Sequence, residues 1–205
     1  MASQHEFERQ RWNQAFTDPN WRSTRFNAQP NALLVRTASA LPPGTALDVG
    51  MGDGRNALYL ARLGWQVTGI DVADAALALA QHQAAAAGLP LTTINQGLET
   101  YDWGQGQWDL VVLSYIGGRE LTAKAIAALR PDGWLVLECF HVDAAPARGG
   151  QPGVDVGYET EELKNDYAAA GFTIRHYAEP VRVADFSRET HRMVQLVAQK
   201  PGQLA

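Results

Sequence analysis

A single cysteine, Cys139, stands in a chain of 205 residues, which excludes an internal disulfide and suits a reducing compartment. No apolar run approaches the roughly 18 residues that a membrane-spanning helix requires. The start, Met-Ala-Ser-Gln-His-Glu-Phe-Glu-Arg-Gln, lacks the apolar core of a secretory signal. Positive charge is scarce as well: 17 Lys and Arg against 22 Asp and Glu leave a formal charge of −5. That balance disfavours a broad nucleic-acid-binding face, since little is gained from counterion release. The five histidines fall into no metal-binding spacing with cysteine or carboxylates. These absences lead us to expect a cytoplasmic chain with no membrane contact, no metal, and no nucleic acid as partner. No pattern specifies an oligomer.

What is present is an apolar fraction of 46%, enough to bury the core of one domain, and a distinctive run from Ala46 to Ala61, A-L-D-V-G-M-G-D-G-R-N-A-L-Y-L-A. A buried strand opens into glycines at alternate positions, Gly50, Gly52 and Gly54, before an amphipathic helix begins. Such a turn lets backbone approach a ligand with no Cβ in the way, next to the unpaired N–H groups of the helix start. Roughly 20 residues later a second strand, Gln66 to Ile70, delivers Asp71 to the same edge. A carboxylate there suits the hydroxyls of a ribose. An ordinary helix N-cap is the competing reading of Asp71, because an alanine-rich helix follows.

Two cofactor classes compete for this turn. A dinucleotide site reads G-x-G-x-x-G, but here the third position is Arg55 and the glycine comes one residue early. Asp48 also precedes the first glycine by two positions, where it would repel a pyrophosphate and attract an amino group or sulfonium. The pattern D-x-G-x-G-x-G resembles the first motif of class I S-adenosylmethionine-dependent methyltransferases. Leu129 to Glu138, L-R-P-D-G-W-L-V-L-E, is similar to the turn and fifth strand of that family. Within it, the chain looks most like small-molecule methyltransferases of the tellurite-resistance and thiopurine type. Gly54 to Ala61, the upstream Trp12 to Leu34 and the final strand His191 to Lys200 carry that likeness.

Strand and helix patterns alternate, so the expected fold is α/β: a Rossmann-like, doubly wound, seven-stranded, mostly parallel sheet with an antiparallel C-terminal strand and an N-terminal helical cap. One methyltransferase domain is expected, with the cap over residues 1–40 and the core over 41–205. Strands are expected at about 45–49, 66–70, 91–95, 108–113, 134–140, 172–178 and 191–199. Helices are expected at about 55–63, 73–87, 121–130 and 159–170. Pro131-Asp132-Gly133 reads as a turn, and the Gly- and Pro-rich stretch from Asp143 to Gly157 reads as a mobile loop, either a lid or a plain surface excursion. Trp12, Phe16, Trp21 and Phe26 have no place in the sheet; they read as a cap over the cofactor or as helices packed on the outside.

The resemblance implies S-adenosyl-L-methionine as cofactor, S-adenosyl-L-homocysteine as its product and a small-molecule methyl acceptor as partner. It places Asp48, Gly50, Met51, Gly52, Gly54, Arg55, Asn56, Asp71, Val72, Gly97, Leu98, Glu99 and Ser114 at the cofactor. Many relatives carry Asp where this chain has Leu98, so Glu99 is one residue out of place. Asp48 could instead brace the loop, and Arg55 and Asn56 could be exposed first-turn residues. Tyr115, His141 and Arg192 are the candidate catalytic residues, Tyr115 and Arg192 toward the acceptor and His141 as a base. Simple packing competes for Tyr115. For the basic group Arg182, Arg188, His191 and Arg192, attraction of an oxyanion competes with a solvated rim.

Methyl transfer is an in-line displacement, for which the protein mainly brings a lone pair to about 3 Å from the methyl carbon. An acceptor that holds a proton also needs a positioned base. The expected activity is methyl transfer to a small molecule in an enclosed pocket. The alternatives are a methyltransferase of protein or nucleic acid, an NAD-dependent oxidoreductase, and a non-catalytic cofactor-binding module.

Overall fold

The computed structural model of the protein describes residues 4–144, 157–185 and 188–202. The chain divides into two compact units. One runs to Asp102 and takes in Asp185–Arg188; the other comprises Trp103–Ala184 and the chain from Glu189 onward.

The first unit opens with three helices, α1 (Gln4–Thr17), α2 (Pro19–Arg25) and α3 (Ala32–Ala38). Asp18 and Asn31 cap the second and third, each accepting two amides of the first turn. Strands β1 (Thr45–Val49), β2 (Gln66–Asp71) and β3 (Thr92–Asn95) follow, with α4 (Arg55–Arg62) and α5 (Asp74–Ala86) as crossovers. The three strands are parallel, in the order β3-β2-β1, with Val49 beside Ile70 and Asp71 beside Asn95. Ala46, Leu47 and Val49 are fully buried, as expected of a strand covered on both faces. In α5, Ala76, Leu77, Ala80 and Ala84 form the buried stripe, and Gly88 (φ +63°) lies just past the C-cap, Ala87.

The second unit contains β4 (Trp108–Ser114), α6 (Arg119–Ala128), β5 (Leu129–His141), β6 (Gly157–Tyr158), α7 (Glu162–Ala169), β7 (Thr173–Ala178), β8 (Val181–Val183) and β9 (Thr190–Gln199). Its strand order is β4-β5-β9-β7; β4 and β5 are parallel, and β9 runs antiparallel to both its neighbours. The mostly parallel, Rossmann-like architecture with an antiparallel C-terminal strand is as expected.

Three details differ from expectation. Nine strands are described where seven were expected, because β6 pairs with the end of β5 and β8 forms a hairpin arm on β9. Strand β5 starts at Leu129, before the Pro-Asp-Gly turn: buried Leu129 pairs with Trp108, and the register shifts between Trp108 and Leu110 while Asp132 takes φ +63°. Helix α7 starts at Glu162, three residues late, since Glu161 is left-handed (φ +59°) and its amide is held by Tyr177 Oη and Glu179 Oε1. The expected lid falls largely on residues 145–156, outside the described residues. None of the described helices is long and apolar enough to cross a membrane.

Candidate functional site

The glycine turn of the first unit is built around Asp71. Its Oδ2 accepts the Gly52 amide and its Oδ1 the Ala73 amide, each at 2.9 Å. Asp71 therefore ties the end of β2 to the turn after β1. Met51 adds a backbone bond to Ile70 at 3.0 Å, and the Gly54 amide closes onto the Met51 carbonyl at 3.0 Å. Gly50, Gly52 and Gly54 all have positive φ. At Gly54 (φ +85°) a Cβ would also lie 2.8 Å from Ala80 Cβ, so glycine is required by both conformation and space. Gly69 serves the same turn by vacancy: a Cβ there would fall 2.0 Å from Met51 Sδ.

Two carboxylates flank this turn in low-dielectric surroundings. Asp48 is 1% exposed, and its Oδ2 has no hydrogen-bond partner. Burial pushes its carboxyl up to about 7, Arg55 and the Ala57 amide work in the opposite direction, and Asp71 adds to the rise. Burial also raises Asp71, against the amides of Ala73, Gly52 and Val72, and raises Asp53 beside them.

Arg55 and Asn56 are not exposed first-turn residues. Arg55 Nη1 donates to the carbonyls of Asn27 (3.2 Å) and Gln29 (3.0 Å) and lies 3.4 Å from Asp185 Oδ2. Asn56 Oδ1 accepts the Asn31 amide at 2.9 Å. Asp185 takes the side-chain amides of Asn27 and Asn31 as well, which makes it the centre of a clasp on residues 27–31 and Arg55. Asn31 and Asp185 escaped the sequence reading, their partners lying up to 158 positions away.

The aromatic cap is compact: Phe16 stacks on Phe26 at 5.3 Å between centroids, with Trp12 and Trp21 completing the cluster. It packs on Ala73 and on Ala76 of α5, and Phe16 Cζ lies 3.2 Å from where a Gly52 Cβ would stand. The first turn of α5 has Ala73 in the N-cap position and borrows its cap from α1, where Asn13 Oδ1 accepts the Ala75 amide at 2.8 Å. Asp71 is thus two residues ahead of the N-cap. At the end of β3, Asn95 Nδ2 donates to the carbonyls of Asp71 and Val72, which brings half-buried Val72 beside the 95–97 turn. There Gly97 is buried, Leu98 half-buried and Glu99 exposed.

The other candidates belong to the second unit. Ser114, the last residue of β4, pairs in register with Glu138. Tyr115 follows it in a left-handed conformation (φ +60°), with its hydroxyl 2.7 Å from Glu138 Oε1 and its ring against Phe140. Glu138, at 1% exposure, also accepts from Arg182 Nη2 at 2.7 Å and from Gln195 Nε2. Glu138 was not among the expected site residues, although a carboxylate inside the apolar run L-V-L-E-C-F signals a buried, partnered charge.

His141 is 3% exposed, and both ring nitrogens face protein groups: Nε2 meets Thr160 Oγ1 at 3.1 Å and Nδ1 meets the Asp143 amide at 3.2 Å. Arg192 Nη1 donates to Asp143 Oδ2 (3.1 Å), and its Nη2 donates to Thr160 Oγ1 (3.0 Å) and to Glu179; these carboxylates raise the guanidinium further above its ordinary value. The basic residues are engaged by protein groups. Arg182 and Arg192 are each paired with carboxylates, His191 stands 3.6 Å from Glu189, and Arg188 donates to the Ser23 carbonyl of the first unit. Among the described residues, no three His, Cys, Asp or Glu side chains are grouped to hold a metal ion.

A glycine turn between β1 and α4 and an acidic residue at the end of β2, on mostly parallel strands, are the features of a Rossmann-like fold. Residues 46–133, less than half of the chain, match the methyltransferase domain family. YqeM of Bacillus subtilis (strain 168), which carries a provisional methyltransferase name, is 30% identical over 110 residues, covering 49% of this chain and 44% of that protein. The chain thus matches less than half the length of that curated relative. Among solved structures, TehB from Haemophilus influenzae is similar with a TM-score of 0.71 at 21% identity, over 83% of this chain and 62% of that one. The magnesium protoporphyrin IX methyltransferase ChlM from Synechocystis PCC 6803, solved with S-adenosylhomocysteine, gives 0.69 at 20% identity, over 97% and 100%. At these identities the likeness is one of fold.

Proposed function

We propose that this protein transfers a methyl group from S-adenosyl-L-methionine to a small molecule. The observation that carries this reading is the pair of buried carboxylates, Asp48 and Asp71, on either side of the three-glycine turn. Asp48 Oδ2 is buried with no hydrogen-bond partner, which suits an incoming ammonium. A pyrophosphate would meet Asp48, Asp53 and Asp71 together, while the nearby guanidinium of Arg55 is occupied by carbonyls and Asp185.

In this reading Asp71 holds the ribose hydroxyls, its carboxylate fixed in place by the amides of Gly52 and Ala73. Asp48 answers the amino group of the methionine part, and Gly50, Met51, Gly52 and Gly54 allow backbone to approach the ligand. Val72, Gly97, Leu98 and Glu99 border the adenine. Arg55 and Asn56 act indirectly, fixing residues 27–31 against the helix start. The bound cofactor supplies an electrophilic methyl group on a positively charged sulfur. For the acceptor side, Tyr115 and Arg192 are the proposed contacts, while His141, with both nitrogens engaged, supports its strand end.

A small acceptor is favoured over nucleic acid by the net charge of −5 and by the pairing of Arg182 and Arg192 with carboxylates. The test is incubation of the purified chain with S-adenosylmethionine and a panel of thiols, phenols, amines and chalcogen oxyanions, with S-adenosylhomocysteine release as the signal. Acceptor-dependent release is expected. Methylation of oligonucleotides or protein alone would contradict the small-molecule reading.

A further inference from the structure

Arg22 brings to the glycine turn a charge that no hydrogen bond answers. It lies in α2, which Asp18 caps by accepting the amides of Asn20 (2.9 Å) and Trp21 (3.2 Å). The aromatic cluster seats this helix. The Trp21 ring lies 6.3 Å from Phe16 and 5.1 Å from Phe26, and Phe16 reaches the Cβ position of Gly52. The Arg22 side chain is half-buried, its Nε is buried with no partner, and among the described residues its guanidinium makes no hydrogen bond or ion pair. Asp53, inside the turn, feels that charge: burial raises the Asp53 carboxyl, and Arg22 followed by Arg55 works against the rise.

A guanidinium is a planar fork of donors that suits a carboxylate or a phosphate, and a buried donor left unpaired is costly. Asp48 Oδ2 presents the opposite case, a buried acceptor with no donor. The two groups border one turn: Arg55 is felt by both Asp48 and Asp53, and Asp53 by Asp71. Arg55 itself is engaged by the carbonyls of Asn27 and Gln29 and by Asp185. Ligand classes answer the two orphans differently. A diphosphate satisfies Arg22 and sets more negative charge against Asp48. A simple amine satisfies Asp48 alone. An α-amino acid end carries an ammonium and a carboxylate on one carbon, and it answers both.

We propose that Arg22 binds the α-carboxylate of the cofactor while Asp48 binds its ammonium, and that this pair selects nucleosides with a complete amino-acid end over those cut back to an amine or a thioether. The proposal deepens the methyltransferase reading above and rests on it. It gives the N-terminal helices a chemical role, since β1, the five turn residues after it and β2 contain no basic side chain and α2 supplies one.

The test is titration calorimetry on the full chain with three nucleosides. They are S-adenosylhomocysteine, its decarboxylated aminopropyl analogue, which keeps the amine, and 5′-methylthioadenosine, which keeps neither group. The native chain is expected to prefer S-adenosylhomocysteine over the aminopropyl analogue by about tenfold or more. Arg22→Gln is expected to weaken S-adenosylhomocysteine by a similar factor, about tenfold to a hundredfold, and to leave both truncated nucleosides within about twofold. Asp48→Asn is expected to weaken S-adenosylhomocysteine and the aminopropyl analogue but not 5′-methylthioadenosine. Equal weakening of all three nucleosides by Arg22→Gln would mean that Arg22 only seats α2, and it would overturn the proposal; so would an unchanged affinity for S-adenosylhomocysteine. If Arg22→Gln does not fold, the native chain and Arg22→Lys decide. A native preference that Arg22→Lys reduces supports the proposal, and no native preference for the carboxylate-bearing nucleoside overturns it. Failure of the native chain to bind S-adenosylhomocysteine at all would instead overturn the methyltransferase reading.

Discussion

Asp71 accepts the Gly52 amide at 2.9 Å across 19 positions of the chain, and the same carboxylate accepts the Ala73 amide with its other oxygen. One side chain thereby sets the glycine turn and the entry to α5. Asp71→Ala should weaken S-adenosylhomocysteine binding by about 1–3 kcal/mol, the cost of losing a charged hydrogen-bond partner. Titration calorimetry on the native and variant chains reads this directly. Equal affinities would show that the carboxylate only braces the turn.

The buried Asp48 makes stability depend on pH with a defined sign. Its folded-state value of about 7 lies above the ordinary 3.8, so between these values the folded chain binds more protons than the unfolded one. The contribution of Asp48 to stability therefore falls as pH rises from about 4 to about 7 and is level above that. Asp48→Asn removes this slope. Urea denaturation at pH 5 and pH 8 should show the variant gaining on the native chain at the higher pH. A difference between the two chains that does not change with pH would contradict the assignment.

Gly54 combines φ of +85° with a clearance that a Cβ would reduce to 2.8 Å from Ala80. Gly54→Ala should therefore cost about 1–3 kcal/mol in chemical denaturation, the range for a strained left-handed residue. Gly88, also at positive φ but with open space around it, serves as a control: Gly88→Ala should cost less. Equal losses would mean that packing against Ala80 contributes nothing.

Asp185 joins Asn27, Asn31 and Arg55 in the first unit, and its contact with Arg55 leaves both side chains about one-tenth exposed. Asp185→Ala removes the carboxylate 3.4 Å from a nearly buried guanidinium, at an expected cost of about 2 kcal/mol. Amide hydrogen exchange should speed up over residues 19–31 while the amides of β1 and β2 stay protected. Uniform acceleration would mean that the clasp supports the whole unit and not the cap alone.

The parts legible in the sequence are those whose cause is local. Strand β1 reads as a continuous apolar run because it is buried on both faces, and α5 reads from alanine propensity and its closing glycine. Asp71 was found because spacing along a strand–turn–helix unit fixes where its carboxylate arrives. Elements set by distant partners were not legible. Strands β6 and β8 are two and three residues long and exist only through their pairing with β5 and β9. Glu138 meets partners 23, 44 and 57 positions away, so its identity as a hub follows from the folded chain. The basic residues near β9 illustrate the same limit: their composition reads as an anion site, and the carboxylates that neutralise Arg182 and Arg192 become apparent only in three dimensions.

Everything proposed for the first unit depends on its buried acidic turn preferring a cationic amino-acid nucleoside over a diphosphate. Equilibrium titration of the full chain with S-adenosylhomocysteine and with NADH, under identical salt and pH, measures that preference. Micromolar or tighter binding of the homocysteine nucleoside with none of NADH is the expected result. Saturable binding of NADH with indifference to S-adenosylhomocysteine would contradict it.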